Sequence, residues 1–278
     1  MALIITVKAD TKGLELKSIL PSGLEHGMYD DAYRLQESDS TKTAIVFDPK
    51  HIGRGINVDI KDDSVETGLS LPAGKNEISL AFRIAARACK KLGAKVMDAD
   101  GRQIALGDVD KTAEDTCLKS EAELKDITEK LSEEKGKVVT LFGALNPITI
   151  NADDASKMDG KLDKLEKFLH NKQMVHAYYS APQFFQDPGD GSFVGVYNIM
   201  VGVDTIMPFE PSVPFYMSGT VPRWFVYVYV SDDMYGYVKF SDFMNKAPRN
   251  GFYDATHYFC NLTEDQAEQL IKNYGADV

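Results

Sequence analysis

Positive charge is scarce in this chain. It carries 31 Lys and Arg against 42 Asp and Glu, a net charge of -11 over 278 residues. Nucleic acids and anionic membranes are held by clustered positive charge, so neither is expected as a partner. Cysteine is scarcer still. Cys89, Cys117 and Cys260 are odd in number and far apart, unlike the dense, even framework of a small secreted domain. Reduced thiols in a cytoplasmic protein are the simpler expectation. Long hydrophobic runs are missing too, and nothing approaches the roughly 20 apolar residues of a membrane span. The opening run Leu3–Val7 has no basic segment before it and reads as a first strand, not a signal peptide.

Catalytic signatures are equally thin. The chain has no phosphate-cradling G-x-x-x-x-G-K-[ST], no dinucleotide-binding G-x-G-x-x-G between strand and helix, no H-E-x-x-H, no G-x-S-x-G and no paired C-x-x-C. No cofactor and no metal is therefore expected from motifs. Ile52-Gly53-Arg54-Gly55-Ile56 offers an anion two backbone N–H groups and an arginine, but the plainer reading is a tight entry to the next strand. There are five histidines. His170 and His176 lack the i,i+4 spacing that puts two ligands on one helical face. Asp254, His176 and His257 form the one acid–base or metal set worth carrying forward. In it the histidines serve as ligands or general base and Asp254 as an orienting or ligating carboxylate.

What is present has the pattern of a folded α+β protein. Ile56, Val58 and Ile60 alternate with Asn57 and Asp59, the period of a strand with one wet face. Ile78, Phe82, Ala85, Cys89 and Leu92 make a helical stripe, with Asn76 as its cap and Gly93 at its end. Residues 111–137 hold six Lys and eight acids. Ser120-Glu121-Ala122-Glu123 reads there as a capping box opening a solvated helix. A helix is expected over about Asp159–Lys172, with Asp153-Asp154 before it in a loop. Thr263-Glu264-Asp265-Gln266 reads as a second capping box. Strands cluster without βαβ alternation, which predicts mainly antiparallel sheets with a few packed helices. The composition suggests an N-terminal subdomain over 1–110, a charged connector over 111–137 and an aromatic-rich subdomain over 138–278. A single intertwined domain fits the same pattern.

Aromatic residues are unevenly placed. Of 28 Phe, Trp and Tyr, 21 lie between Tyr178 and Phe259. Trp224–Val230 has no polar face, so both its faces are expected to be covered. Tyrosine joins a large apolar ring to a hydroxyl that wants a partner, and suits half-wet surfaces. The block therefore reads either as a sheet stabilised by cross-strand aromatic pairs or as a recognition surface. In the second reading Trp224, Tyr227, Tyr229, Tyr235 and Tyr237 bear the surface and Asp232 and Asp233 stand at its rim. From Gln173 onward there are five Lys and Arg against twelve acids, a field that suits a basic protein partner.

Several short segments, taken together, resemble an uncharacterised bacterial family of about this length, catalogued as a domain of unknown function. They are Phe47-Asp48-Pro49, Arg54-Gly55, Phe142-Gly143-Ala144-Leu145-Asn146-Pro147, Gln173, Tyr178-Tyr179, Gly195-Val196-Tyr197, Met207-Pro208 and Tyr253-Asp254-Ala255. The resemblance implies a bacterial cytoplasmic protein and carries no activity, cofactor or catalytic residue. The residues thus point first to a non-enzymatic protein-binding factor of regulatory or immunity type. The alternative is a hydrolase or metal-dependent enzyme with a pocket between the two halves.

Overall fold

The structure is a computed structural model, and it describes residues 2–30, 34–189, 191–213 and 220–277. The chain divides into two compact units, Met1–Val175 and His176–Val278. Unit 1 opens with strands β1 (Ala2–Lys8), β2 (Glu25–Tyr29), β3 (Leu35–Gln36), β4 (Thr43–Asp48), β5 (His51–Ile60) and β6 (Ser64–Ser70). Helix α1 (Lys75–Leu92), strands β7 (Lys95–Met97) and β8 (Gln103–Ile104) and helix α2 (Val109–Glu133) follow. The unit closes with β9 (Val139–Phe142), β10 (Pro147–Ile150), α3 (Ala152–Met158) and α4 (Leu162–Gln173). Eight of its strands form one sheet in the order β3-β2-β4-β5-β6-β1-β7-β8, antiparallel throughout. The alternation in β5 buries Ile56, Val58 and Ile60 toward α1, whose Ile78, Phe82, Ala85 and Cys89 are buried in turn.

Three local expectations change. Helix α1 starts earlier, with Gly74 as its N-cap, and Asn76 instead donates to Glu166 Oε2 at 3.2 Å. Ser120 opens no helix. It lies inside α2, its Oγ accepting from Ala73 N at 2.8 Å and donating to Ala73 O at 2.7 Å. Asp153 and Asp154 belong to the first turn of α3, which Asn151 caps through Asp154 N at 3.0 Å. Acids there face the positive end of the helix dipole.

Unit 2 holds β11 (Tyr178–Tyr179), β12 (Gln183–Gln186), β13 (Phe193–Met200), β14 (Thr205–Pro208), β15 (Arg223–Ser231) and β16 (Met234–Lys239). Helix α5 (Phe240–Lys246), β17 (His257–Cys260), α6 (Glu264–Tyr274) and β18 (Gly275–Ala276) complete it. A five-stranded sheet runs β12-β13-β15-β16-β18, with β13 and β15 parallel, and a three-stranded sheet runs β11-β14-β17. One face of the larger sheet packs Tyr197, Val226, Val228 and Val238 against Phe243 of α5 and Leu270 of α6. The α+β fold with mainly antiparallel pairing is thus present. Among the described residues no helix is long and apolar enough to cross a membrane.

Candidate functional site

The other face of the five-stranded sheet carries the tyrosines. Side chains alternate along a strand, so Tyr227 and Tyr229 lie opposite to the buried Val226 and Val228. The antiparallel register sets Tyr227 beside Tyr237 and Tyr229 beside Tyr235. Ring centroids are 5.1 Å apart for Tyr227–Tyr237 and 5.8 Å for Tyr227–Tyr235. The parallel neighbour β13 adds Asn198 beside Tyr227 and Met200 beside Tyr229. Tyr178 and Phe185 complete the walls of a groove of about 670 Å³. The all-apolar run of β15 predicts cover on both faces; on the tyrosine face Phe225 is buried with Val194 and Val196, whereas Tyr227 and Tyr229 are only partly buried. Among the described residues that line the groove there is no Lys or Arg.

Its rim is acidic. Tyr229 OH donates to Asp232 Oδ1 at 2.7 Å, and that bond is the main cause raising the phenol's pKa. Tyr227 is raised as well, by burial first and then by Tyr235, Tyr237 and Asp232. These phenols therefore stay neutral donors at ordinary pH. Asp233 is exposed in the same turn, and Tyr235 is 55% exposed. Trp224 is the exception among the residues expected on this surface. Odd and even positions of β15 face opposite ways, and Trp224 falls with Val226. It stacks on Tyr197 at 5.8 Å and meets Phe184 edge-on, packing against the helix-covered core.

The histidine set is only partly assembled. His257 Nδ1 lies 2.9 Å from Asp254 Oδ1, and Nε2 lies 2.9 Å from Tyr179 OH. A proton on Nδ1, shared with Asp254, leaves Nε2 to accept from the phenol. The Asp254 side chain is buried, and Oδ1 also accepts the backbone N–H groups of Thr256 and His257 at 2.8 Å each. His176 is exposed and makes no hydrogen bond or ion pair among the described residues. No group of three His, Cys, Asp or Glu among those residues is placed to hold a metal ion. Tyr179 is the partner that sequence reasoning missed. Its pairing with His257 across 78 residues leaves no local signal.

The Gly53-Arg54-Gly55 segment lies inside β5, and its backbone grips a carboxyl of the chain's own, that of Glu77. Gly55, at φ 80°, turns its N–H onto Glu77 Oε1 at 2.6 Å. A Cβ on Gly53 would fall on the same carboxylate, so the close approach requires glycine. Burial raises the Glu77 pKa, against the opposing pull of the Arg54 and Gly55 N–H groups and the Arg54 charge. Gln173 closes the knot, donating to Gly53 O and accepting from Leu145 N, both at 2.7 Å. Arg54 Nε donates to Phe142 O at 2.8 Å. Phe47 packs with Ile52 and Ala144 beside it. The first four segments of the family resemblance thus meet in one buried polar knot of unit 1. Tyr179, Tyr253 and Asp254 meet in a second within unit 2.

Residues 2–270 match the model of a family described as Domain of unknown function (DUF4299), and the chain belongs to that family. No curated protein and no solved structure matches the chain significantly.

Proposed function

From a membership that brings no activity with it, we propose that the chain is a non-enzymatic protein-binding factor, of regulatory or immunity type, working in the bacterial cytoplasm. Its tyrosine groove takes a basic, partly apolar segment of a partner protein. The observation that carries this reading is a large groove of aromatic rings with Asp232 at its rim and no cation among the described residues that line it. Lysine and arginine are attracted to aromatic faces, and a carboxylate at the rim completes the charge. Tyrosine is among the residues that dominate binding energy at protein interfaces. The three free thiols agree with a reducing compartment.

The test uses fluorescein-labelled peptides of alternating lysine and leucine, with glutamate–leucine peptides as the control, read by anisotropy. The basic peptide is expected to bind and the acidic one not. Tyr235→Ser with Tyr237→Ser should weaken binding at least about tenfold, as befits the loss of interface tyrosines, with an unchanged circular dichroism spectrum. Equal binding of both peptides, or an unchanged affinity in the double variant, sinks the assignment.

The hydrolase reading retains one supporting observation, the Asp254–His257–Tyr179 chain of hydrogen bonds. It has the geometry of an oriented base. Tyr179 and His257 are not among the residues lining the groove, whereas Tyr178 is.

A further inference from the structure

A second cavity, of about 350 Å³, lies in unit 1. Its floor is a row across the eight-stranded sheet, in which Ile45 pairs with Asn57, Asn57 with Gly68 and Gly68 with Ile4. Gly68 leaves the row a dip. Phe142 also lines the cavity, and Arg54 lines one end.

Arg54 is the unusual member. It is 7% exposed, yet it forms no ion pair with any described residue. Two of its five N–H groups are used, Nε on Phe142 O and Nη1 on Pro72 O at 3.1 Å. Buried charges are ordinarily paired, because desolvating an unpaired ion is costly. Glu77 acts on Arg54 through its charge, but one of its oxygens is committed to Gly55 N. A guanidinium with donors to spare at the end of a cavity floored by Ile4 and Ile45 is a recognition element for a planar anion.

We propose that this cavity binds a small molecule carrying one carboxylate on an apolar body, the carboxylate on Arg54 and the body over Ile4 and Ile45. A monoanion is favoured over a phosphate for two reasons. Among the described residues Arg54 is the single cation in the lining, and Glu66 lines the same cavity while paired with Lys61 at 2.6 Å. A dianion would meet one positive charge and one negative. The volume is at the low end for small-molecule sites, which suits a body of hexanoate or benzoate size.

The experiment is thermal unfolding of the full chain with millimolar hexanoate, benzoate, their amides, or inorganic phosphate. A ligand that binds only the folded state raises Tm by mass action. Hexanoate or benzoate should raise it, and the neutral amide should bind at least about tenfold more weakly, as for loss of a charged hydrogen-bond pair. Gly68→Val fills the dip. A Cβ there would meet only ordinary contacts, the nearest being Asn57 Cβ at 3.8 Å, and valine suits a strand. This variant should lose the acid-dependent rise, and Arg54→Gln should lose the preference for acid over amide. Acid and amide giving equal shifts, no shift with either acid, phosphate matching the acids, or a shift surviving Gly68→Val would each overturn the proposal. The acid-against-amide comparison in the unaltered chain decides it even where a variant fails to fold.

Discussion

Glu77 is buried, and its carboxyl is held above the usual carboxylate range chiefly because burial disfavours its charge. An acid whose folded pKa is raised binds its proton more tightly in the native than in the unfolded chain. Its contribution is fully present below the ordinary glutamate value of 4.5 and is lost as pH rises through the folded pKa. Glu77→Gln keeps an acceptor for Gly55 N and removes the titration. Urea unfolding from acid to neutral pH should therefore show the variant gaining on the parent from about pH 4.5 upward. Parallel stability curves would mean that Glu77 titrates alike in both states, and that burial does not hold its proton. The sequence made half of this legible. Two glycines around Arg54 admit an anion grip beside the plainer reading of a tight entry to a strand. Which anion was not legible, because Glu77 stands 22 residues away on a helix whose apolar stripe gives no reason to bury a carboxylate.

The S/T-x-x-E/Q pattern occurs at Thr263 and at Ser120, and the two elements resolve it differently. At Thr263 the box is complete, with Gln266 N donating to Thr263 Oγ1 at 3.3 Å and Thr263 N to Gln266 Oε1 at 3.0 Å. At Ser120 the apolar stripe of α2 already runs from Val109 and Ala113 to Leu124 and Leu131, so the helix passes through without stopping. The hydroxyl serves the buried Ala73 backbone instead. A local motif thus names a helix start only where no longer periodic pattern overrides it. Thr263→Ala should cost about 1 kcal/mol, the usual loss of an N-cap. Ser120→Ala should cost more, about 1–3 kcal/mol, because it strands a buried N–H and C=O. Chemical denaturation orders the two, and the reverse order would contradict a capping role for Thr263 and a buried bridging role for Ser120. The alternation of Tyr227 and Tyr229 with valines was likewise visible, whereas the placing of Trp224 with the valines follows from strand parity, which an all-apolar run conceals.

Two ways of cutting the whole chain compete. Composition sets the first boundary at the charged segment 111–137, leaving residues 1–110 as a subdomain, while packing sets it between Val175 and His176. The two differ in what they strip from the sheet of unit 1. A chain ending at residue 110 loses Phe142, Leu145 and Gln173, and with them the partners of Arg54 Nε and Gly53 O. It also loses Ser120, which satisfies Ala73, and Leu124 and Leu131, which α2 buries. Buried polar groups left without partners cost roughly 1–3 kcal/mol each, and net stability is only about 5–15 kcal/mol. Residues 1–175 expressed alone should therefore unfold cooperatively, and residues 1–110 should show secondary structure without a cooperative transition. Calorimetry of both fragments checks this, and a sharp transition in the shorter one would restore the compositional boundary. Surface charge does not separate the two cuts, for a physical reason. A helix that buries only a narrow stripe against its neighbours presents most of its circumference to water, so its composition matches that of a linker. The pairing that makes it part of the core runs from Ser120 to Ala73, and contacts of that range are set by packing that no local pattern records.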